Sequence, residues 1–353
     1  MVRKTAPQQD DLRILLRSYF SQPRPESCSL AFRLNGVDIE VTTDRIDTAA
    51  AVSQLMGHAR KRSATHPDRL RCYVFTEPTD RPPLLDRFKG ASFVAQWENT
   101  GYFAWKRLTL IDFYPWATAI IDAVHGMAVL FLNALEIPPP LIFSNQLFYQ
   151  TLEPLLNSRG IFPIHASAVA LGRRAVLFPA PSEYGKTTLA LAMVRAGYRY
   201  LGDDKPMIVQ RAGRPTVVAF PEPINAYVDE LRQFPELPAR PHPDFPPDFP
   251  LKVSISIETY WPGCVMPSAI PKALIFPEPR PKKPIDRSLI EPLSCAESMR
   301  RLIELNWPLH LPGRLDGFMD MMRDLVARTP SYRIECGTQL DDLPERIGTL
   351  LNR

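Results

Sequence analysis

The sequence predicts two domains, an α+β domain over residues 1–140 and an α/β domain over residues 141–353. A chain of 353 residues with 45% hydrophobic content is long and apolar enough to bury two cores. The run Ile137-Pro138-Pro139-Pro140 marks the boundary, because proline lacks an amide donor and restricts the residue before it. Downstream, an apolar segment, a turn and a run of helix-forming residues follow one another, which is the order of a strand–loop–helix unit.

Composition and charge exclude several classes of protein. The 42 basic and 38 acidic residues leave a net charge of +4 without a long block of one sign, so we expect no nucleic-acid partner. Five cysteines without C-x-x-C spacing favour neither a disulfide framework nor a zinc site, and they indicate a reducing, cytoplasmic location. The first residues form no apolar signal segment, and we expect neither secretion nor membrane association.

The amino-terminal domain begins with a predicted β-hairpin. Apolar residues alternate on both sides of Asn35-Gly36, a pair that readily adopts the positive φ values of a tight turn. A helical stretch near 49–62 and strand-like runs at 71–76 and 102–114 complete an α+β pattern. No motif in this domain carries recognisable chemistry, and we expect it to recognise a substrate or partner.

The most apolar stretch of the chain spans residues 117–135. Its length approaches that of a membrane span, but Asp122, His125 and Asn133 would then lie deep in lipid. The sequence therefore predicts a buried helix here.

Proline is unusually frequent in this chain, with 38 prolines against 16 glycines. The run at 234–250 is too rich in proline for a helix or a central strand. We expect it to form a long loop inserted into the second domain.

A phosphate-binding loop is the central motif of the second domain. Residues 175–178 suit a buried strand, and residues 187–196 form an apolar helical run that Gly197 ends. The segment between them follows the G-x-x-x-x-G-K-[ST] pattern with one departure, alanine in place of the first glycine. It reads Ala180-Pro181-Ser182-Glu183-Tyr184-Gly185-Lys186-Thr187, and Thr188 follows it.

Each residue type in this loop has a task in binding a nucleoside triphosphate. Successive backbone N–H groups and the start of the helix form a concavity that attracts anions. Lys186 can reach the β- and γ-phosphates, the hydroxyl of Thr187 can ligate Mg²⁺, and Gly185 leaves room beside the backbone. A chance G-K-T sequence at a helix start is the alternative.

Three further side chains are candidates for the same site. Asp203 and Asp204 follow a predicted strand at 198–201, so one carboxylate can hold Mg²⁺ and the other can accept a proton. His165 precedes a predicted hairpin of residues 166–178 and would lie near the loop, where it could contact phosphate or tune the acidic pair. A solvated acidic turn and a packed core histidine are the alternatives.

With these residues, the segment resembles the nucleotide-binding core of the HPr kinase/phosphorylase family and its HPr-kinase-like relatives. His165 precedes Lys186 by 21 positions and Asp204 follows it by 18, as in that family, and the R-x-G-[HY]-R-like turn recurs at 195–199. The resemblance implies a bacterial P-loop kinase domain related to phosphoenolpyruvate carboxykinase. It further implies that Lys186 binds phosphate, that Asp204 is the general base toward a serine hydroxyl, and that His165 and Asp203 support them.

Departures from the family pattern limit what the resemblance implies. Family loops usually read Ser-Gly-x-Gly-Lys, whereas Glu183 replaces a glycine here; we expect it to point outward, with Tyr184 over the nucleotide or substrate. The glycine-rich signature that follows the acidic pair in HPr kinases is missing, so we do not expect HPr itself as substrate. Glu222 stands where relatives often carry a second metal-side carboxylate, and the basic cluster at 280–283 could bind charge on the substrate.

The sequence thus predicts transfer of the γ-phosphoryl group of ATP, or another nucleoside triphosphate, to a hydroxyl with the help of Mg²⁺. Serine on a protein or peptide is the expected acceptor, and a ribosomally made precursor peptide is one example. Thr187, Asp203 and Glu222 are the predicted metal-side residues. A small-molecule hydroxyl kinase, with the proline-rich insertion as a lid, and a non-catalytic nucleotide-binding regulator are the alternatives. The oligomeric state stays open.

Overall fold

The computed structural model describes most of the chain as two compact units. The described residues are 27–57, 59–61, 68–77, 88, 90–97, 99–220, 222–237, 252–279, 285–306, 315–338 and 340–352. The first unit contains the described residues up to Gln54 and from Arg60 to Leu155, and the second contains Leu55–Ala59 and the residues from Leu156 onward.

The first unit is built on one nine-stranded mixed sheet. Its order is β3-β1-β2-β4-β9-β8-β7-β6-β5, with parallel pairing of β2 with β4 and of β4 with β9. The strands are β1 (Cys28–Leu34), β2 (Val37–Thr43), β3 (Arg60–Lys61), β4 (Leu70–Glu77), β5 (Ser92–Trp97), β6 (Thr100–Trp105), β7 (Leu108–Phe113), β8 (Ala117–Asp122) and β9 (Met127–Asn133).

The predicted amino-terminal hairpin is confirmed. Strands β1 and β2 pair in antiparallel register, and Asn35 and Gly36 have φ values of 50° and 89° at the turn. Helix α1 (Ile46–Leu55) is shorter than the predicted stretch of 49–62. The strand-like run at 102–114 is a hairpin of β6 and β7, because the chain turns at Lys106, where φ is 53°.

The helix predicted at 117–135 is wrong, because these residues form the hairpin of β8 and β9. All side chains of both strands are buried, and apolar residues lie on both faces, so the alternation that marks a half-buried strand is missing. Asp122 is accommodated at the end of β8 by an ion pair with Arg107 and a hydrogen bond with Nδ1 of His125. The turn includes Gly126 at a φ of 64°.

The proline run leads into a helical segment rather than a linker. Pro139 precedes helix α2 (Pro140–Ile142), where a proline fits the first turn because that N–H needs no partner. A π-helical stretch (Phe143–Phe148) and helix α3 (Tyr149–Asn157) follow directly. The compact units divide within α3, between Leu155 and Leu156, whereas the predicted boundary lies at residues 140 and 141.

The second unit consists of a mixed sheet with helices on both faces and a separate two-stranded sheet. Its strands are β10 (Ile161–Pro163), β11 (Ala166–Leu171), β12 (Arg174–Pro179), β13 (Arg199–Gly202), β14 (Met207–Arg211), β15 (Arg214–Val218), β16 (Ile224–Tyr227), β17 (Lys252–Ile255), β18 (Ser268–Pro277), β19 (Leu289–Leu293) and β20 (Ser331–Glu335). Its helices are α4 (Lys186–Arg195), α5 (Ile257–Tyr260), α6 (Cys295–Asn306), α7 (Leu315–Arg328) and α8 (Leu343–Leu351), with a 3-10 helix at Glu230–Gln233.

Alternating side chains of the central strand β12 build the two cores of this unit. Val176 and Phe178 pack in one cluster with α4 and α8, whereas Ala175 and Leu177 pack in the other with α6 and α7. The order of the mixed sheet is β10-β14-β15-β18-β12-β11-β13, and β20 pairs with β18 and β19. Strands β16 and β17 form the separate two-stranded sheet. The unit is therefore a layered α/β fold, as the sequence predicts at this coarse level.

Strand directions bring three predicted segments to one edge of this sheet. Strand β11 runs antiparallel to both β12 and β13, so the carboxyl ends of β12 and β13 lie at the same edge as the start of β11. The loop after β12, the acidic pair after β13 and His165 before β11 therefore meet there.

Two predicted segments lie largely or wholly outside the described residues. Of the proline-rich run at 234–250, only residues 234–237 are described, and Phe234 and Leu237 are buried in the core next to α4. The basic cluster at 280–283 falls entirely outside. All five cysteines are free thiols. Within the described part of the chain, no helix is long and apolar enough to cross a membrane.

Candidate active site

The loop between β12 and α4 has the backbone of a turn that ends in a helix start. Gly185 precedes the helix in the left-handed region, with a φ of 84°, and Glu183 is also left-handed, with a φ of 70°. Ala180 is buried and lies outside that region, so its methyl group causes no backbone strain where the motif has glycine. Pro181, Ser182 and Glu183 are exposed.

Lys186 is the buried cation of the site, with only 5% of its side chain exposed. Its Nζ donates to the carbonyl oxygen of Pro181 at 3.1 Å and lies 3.3 Å from Nε2 of His165. Oδ1 of Asp204 is also 3.3 Å away. The ammonium group thus lies between the loop and the acidic pair.

Asp203 is buried and joins the helix start to the sheet. Its Oδ2 accepts a hydrogen bond from the hydroxyl of Thr187 at 2.8 Å, and its Oδ1 accepts one from the hydroxyl of Ser167 on β11. Burial, followed by the neighbouring charge of Asp204, raises the pKa of Asp203 to about 6. A hydroxyl and a carboxylate oxygen in contact are the ligand types that suit Mg²⁺ beside phosphate.

Asp204 differs from its neighbour in exposure and in charge. Its side chain is half exposed, and its backbone is left-handed with a φ of 60°. Burial opposes ionisation, but the positive charge of Lys186 leads the interactions that outweigh it, so the pKa of Asp204 lies below its ordinary value. Asp204 is therefore ionised at neutral pH and open to an incoming group.

His165 is held uncharged between these groups. Burial, assisted by the charge of Lys186, lowers the pKa of His165 to about 4. A neutral ring lets Nε2 accept a hydrogen bond from Nζ of Lys186, while Nδ1 lies 3.9 Å from Oδ1 of Asp204. The backbone N–H of His165 donates to Oδ1 of Asn306 at 3.0 Å, which fixes the start of β11.

Glu222 and Lys205 form an ion pair beside the acidic pair. Oε2 of Glu222 lies 3.0 Å from Nζ of Lys205, and both side chains are largely buried. Burial raises the pKa of Glu222 to about 7, against the attraction of Lys205. Among the residues that the structure describes, no group of three or more His, Cys, Asp or Glu side chains is arranged to hold a metal ion.

Glu183 is paired outside the loop. Its Oε1 accepts a hydrogen bond from the hydroxyl of Tyr227, at the end of β16, at 3.1 Å. Nζ of Lys252, on the paired strand β17, lies 4.6 Å from the centre of the Tyr227 ring.

A cavity of about 370 Å³ adjoins the loop. Its walls come from the loop, the first turns of α4, the segment after β18 and the segment after β20. Oγ1 of Thr188, which lines this cavity, is buried and has no hydrogen-bond partner within the described residues. Other lining residues are Tyr184, Leu189, Ile285, Cys336 and Leu340.

Most predicted site residues lie at one place in the structure. His165, Lys186, Thr187, Asp203 and Asp204 are linked by direct contacts, and Glu222 lies next to them on Lys205. Four further residues contact this site and were not predicted from the sequence: Ser167, Lys205, Asn306 and Tyr227. Ser167 carries a signal, because it lies two positions after His165 and side chains two apart on a strand share a face.

Comparisons with known proteins give little further guidance. No protein-family model matches the chain, and no curated protein matches it. Among solved structures, the Hpr(Ser) kinase/phosphatase from Coxiella burnetii aligns with 54% of this chain and 93% of its own, with 14% identity and a TM-score of 0.29.

Proposed function

We propose that the protein is a P-loop kinase of the HPr-kinase-like type, which transfers the γ-phosphoryl group of ATP or another nucleoside triphosphate to a hydroxyl. The contact between Lys186 of the loop and the half-exposed carboxylate of Asp204 is the observation that carries this proposal. It puts a phosphate-binding cation beside a base that an acceptor can reach. Phosphoryl transfer needs mainly positioning and charge stabilisation, and these two groups supply both.

The loop and the start of α4 are proposed to bind the phosphates. Unpaired N–H groups at the first turn and the helix dipole favour an anion there. Lys186 would exchange its contacts with Asp204 and the carbonyl of Pro181 for phosphate oxygens. His165 stays neutral and accepts a hydrogen bond from Lys186, so it orients the ammonium group without adding charge.

The cavity beside the loop is proposed to hold the nucleoside. Leu189, Ile285 and Leu340 give it apolar walls that suit a base, and its volume of about 370 Å³ is in the range of small-molecule sites. Thr188 contributes to the wall of the cavity at the first turn of α4.

Thr187 and Asp203 are proposed to hold Mg²⁺, because their oxygens already lie in contact. The ion would neutralise charge on the β- and γ-phosphates. Glu222 is paired with Lys205, which follows Asp204 directly, and we propose that this ion pair holds the turn of the acidic pair in place. Asp204 would accept the proton of the attacking hydroxyl.

A serine on a protein or peptide is the proposed acceptor. Half of the Asp204 side chain is exposed, so a hydroxyl carried on a large molecule can approach it. A small hydroxyl compound is the second candidate. A regulator that binds nucleotide without transfer is the third, since Ala180 and Glu183 depart from the usual loop.

Calorimetry with ATP, with and without Mg²⁺, tests the binding step. We expect wild-type protein and the control Lys272→Ala, which removes an exposed lysine of β18, to bind alike. Lys186→Ala should weaken binding by about tenfold or more, because a charge-assisted contact is lost. Absence of binding by the wild type, or equal binding by Lys186→Ala, would contradict the loop assignment.

Transfer is tested with γ-labelled ATP, a library of serine-containing peptides and a set of small hydroxyl compounds. Label on peptides supports the protein or peptide kinase proposed here. Label that is found on small compounds and not on peptides supports the second candidate. Binding without label on either class of acceptor supports the regulator.

A further inference from the structure

A carboxylate in a phosphate-binding loop poses an electrostatic problem. Glu183 lies two residues before Gly185 and three before Lys186, and its exposed side chain extends from a left-handed backbone. If its carboxylate faced the N–H groups of the loop, it would occupy the anion site and repel polyphosphate. The position of this side chain therefore decides whether the loop can bind nucleotide.

Tyr227 determines where that carboxylate lies. Its hydroxyl donates to Oε1 of Glu183 at 3.1 Å. Within the described residues, the loop cation pairs with Asp204 rather than with Glu183. The two opposite charges of the loop thus have different partners, one on β16 and one after β13.

Tyr227 is itself held firmly. Its backbone pairs with Lys252 of β17, whose Nζ lies over the ring at 4.6 Å, and its N–H donates to Oε2 of Glu230 at 3.1 Å. Ile224 and Ala226 of the same strand are fully buried. The hydroxyl that donates a hydrogen bond to Glu183 is therefore carried by a strand that is fixed in place.

We infer that Tyr227 is a positioning residue of the nucleotide site, which holds the Glu183 carboxylate away from the phosphates and so makes an acidic loop compatible with a polyphosphate ligand. The inference rests on the proposed function, because it concerns the same loop. Its ligand is a nucleoside polyphosphate, and its effect grows with the charge of that ligand.

Binding of Mg·ATP and Mg·ADP to four proteins tests the inference: wild type, Tyr227→Phe, Glu183→Gln and the double variant. Tyr227→Phe removes only the hydroxyl, and we expect it to weaken ATP binding about fivefold, as the loss of one hydrogen bond does, with a smaller loss for ADP. Glu183→Gln should bind at least as well as wild type. The double variant should match Glu183→Gln, because an uncharged side chain has no charge to hold away.

The other outcomes separate this inference from the proposed function. Unchanged binding by Tyr227→Phe, an equal loss for ATP and ADP, or an equal loss in the Glu183→Gln background would overturn the inference and leave the kinase proposal intact. Binding by Glu183→Gln but not by wild type would also overturn it, since the carboxylate would then block the loop. Absence of binding by both would overturn the proposed function, and this inference with it.

Tyr260→Phe is the matched control, because Tyr260 is exposed and its ring contacts Trp261 rather than the loop. It should leave both affinities unchanged. Thermal unfolding of each variant confirms that the compared proteins are folded.

Discussion

Nζ of Lys186 and Oδ1 of Asp204 lie 3.3 Å apart, although one belongs to the loop after β12 and the other to the turn after β13. The attraction between them keeps the carboxylate ionised against the effect of burial. Lys186 thus keeps Asp204 ionised, and the ionised Asp204 in turn attracts the ammonium group to the place where phosphate would bind.

Replacing Asp204 should separate catalysis from binding. Asp204→Asn keeps the shape and suits the left-handed backbone, which asparagine tolerates as well as aspartate does. We expect phosphoryl transfer to fall by about a hundredfold or more, as after the loss of a general base, with ATP affinity unchanged or higher. Single-turnover assays and calorimetry measure the two quantities. Asp229→Asn, at an exposed position, is the control. Full transfer by Asp204→Asn would contradict the assignment of Asp204 as the general base.

Two cysteines of the wild-type chain report on the nucleoside cavity. Cys336 lines the cavity, whereas Cys295 is exposed at the start of α6. Nucleotide in the cavity should slow alkylation of Cys336 and leave Cys295 unaffected, because only the first thiol would be covered. Mass spectrometry of both peptides after a timed reaction with iodoacetamide, with and without Mg·ATP, measures the rates. If saturating nucleotide leaves the Cys336 rate unchanged, the base binds elsewhere.

Glu222 should make folding stability depend on pH. Burial raises its pKa to about 7 from the ordinary 4.5, so between these values the folded state holds a proton that the unfolded state has released. Stability from this group is therefore present at low pH and is lost as pH rises through about 7. We expect wild type to lose up to about 3 kcal/mol relative to Glu222→Gln between pH 4.5 and pH 7.5.

Urea unfolding of both proteins across this pH range measures that difference. His165 also titrates with a shifted pKa but is common to both proteins, whereas the repulsion between Asp203 and Glu222 is part of the difference that is measured. Glu304→Gln, on the exposed face of α6, should keep the wild-type dependence. Parallel curves for wild type and Glu222→Gln would show that Glu222 ionises normally.

Local patterns predicted the parts of the fold that local physics determines. The hairpin at Asn35-Gly36 follows from turn chemistry, and the β12–loop–α4 unit follows from an apolar strand, a glycine and a helical run. The helix prediction for residues 117–135 was wrong because a strand buried on both faces has no alternation of apolar and polar residues. Its apolar run therefore cannot be distinguished from a buried helix.

The candidate site was predictable where its residues are close in the chain. His165, Lys186 and Asp204 span one strand–loop–helix–strand unit, and their offsets carry the resemblance to HPr-kinase-like proteins. Asn306 and Tyr227 were missed because they reach the site from distant segments, Asn306 through a contact 141 positions along the chain. Such contacts depend on the packing of the whole unit, which periodicity does not reveal.

The position of β12 has a consequence for synthesis of the chain. Its parallel neighbour β18 begins at Ser268, long after β12 has left the ribosome. Until then β12 has only β11 beside it, and its other edge is open to pairing with any exposed strand. A nascent chain that stops before residue 268 would therefore be prone to aggregation.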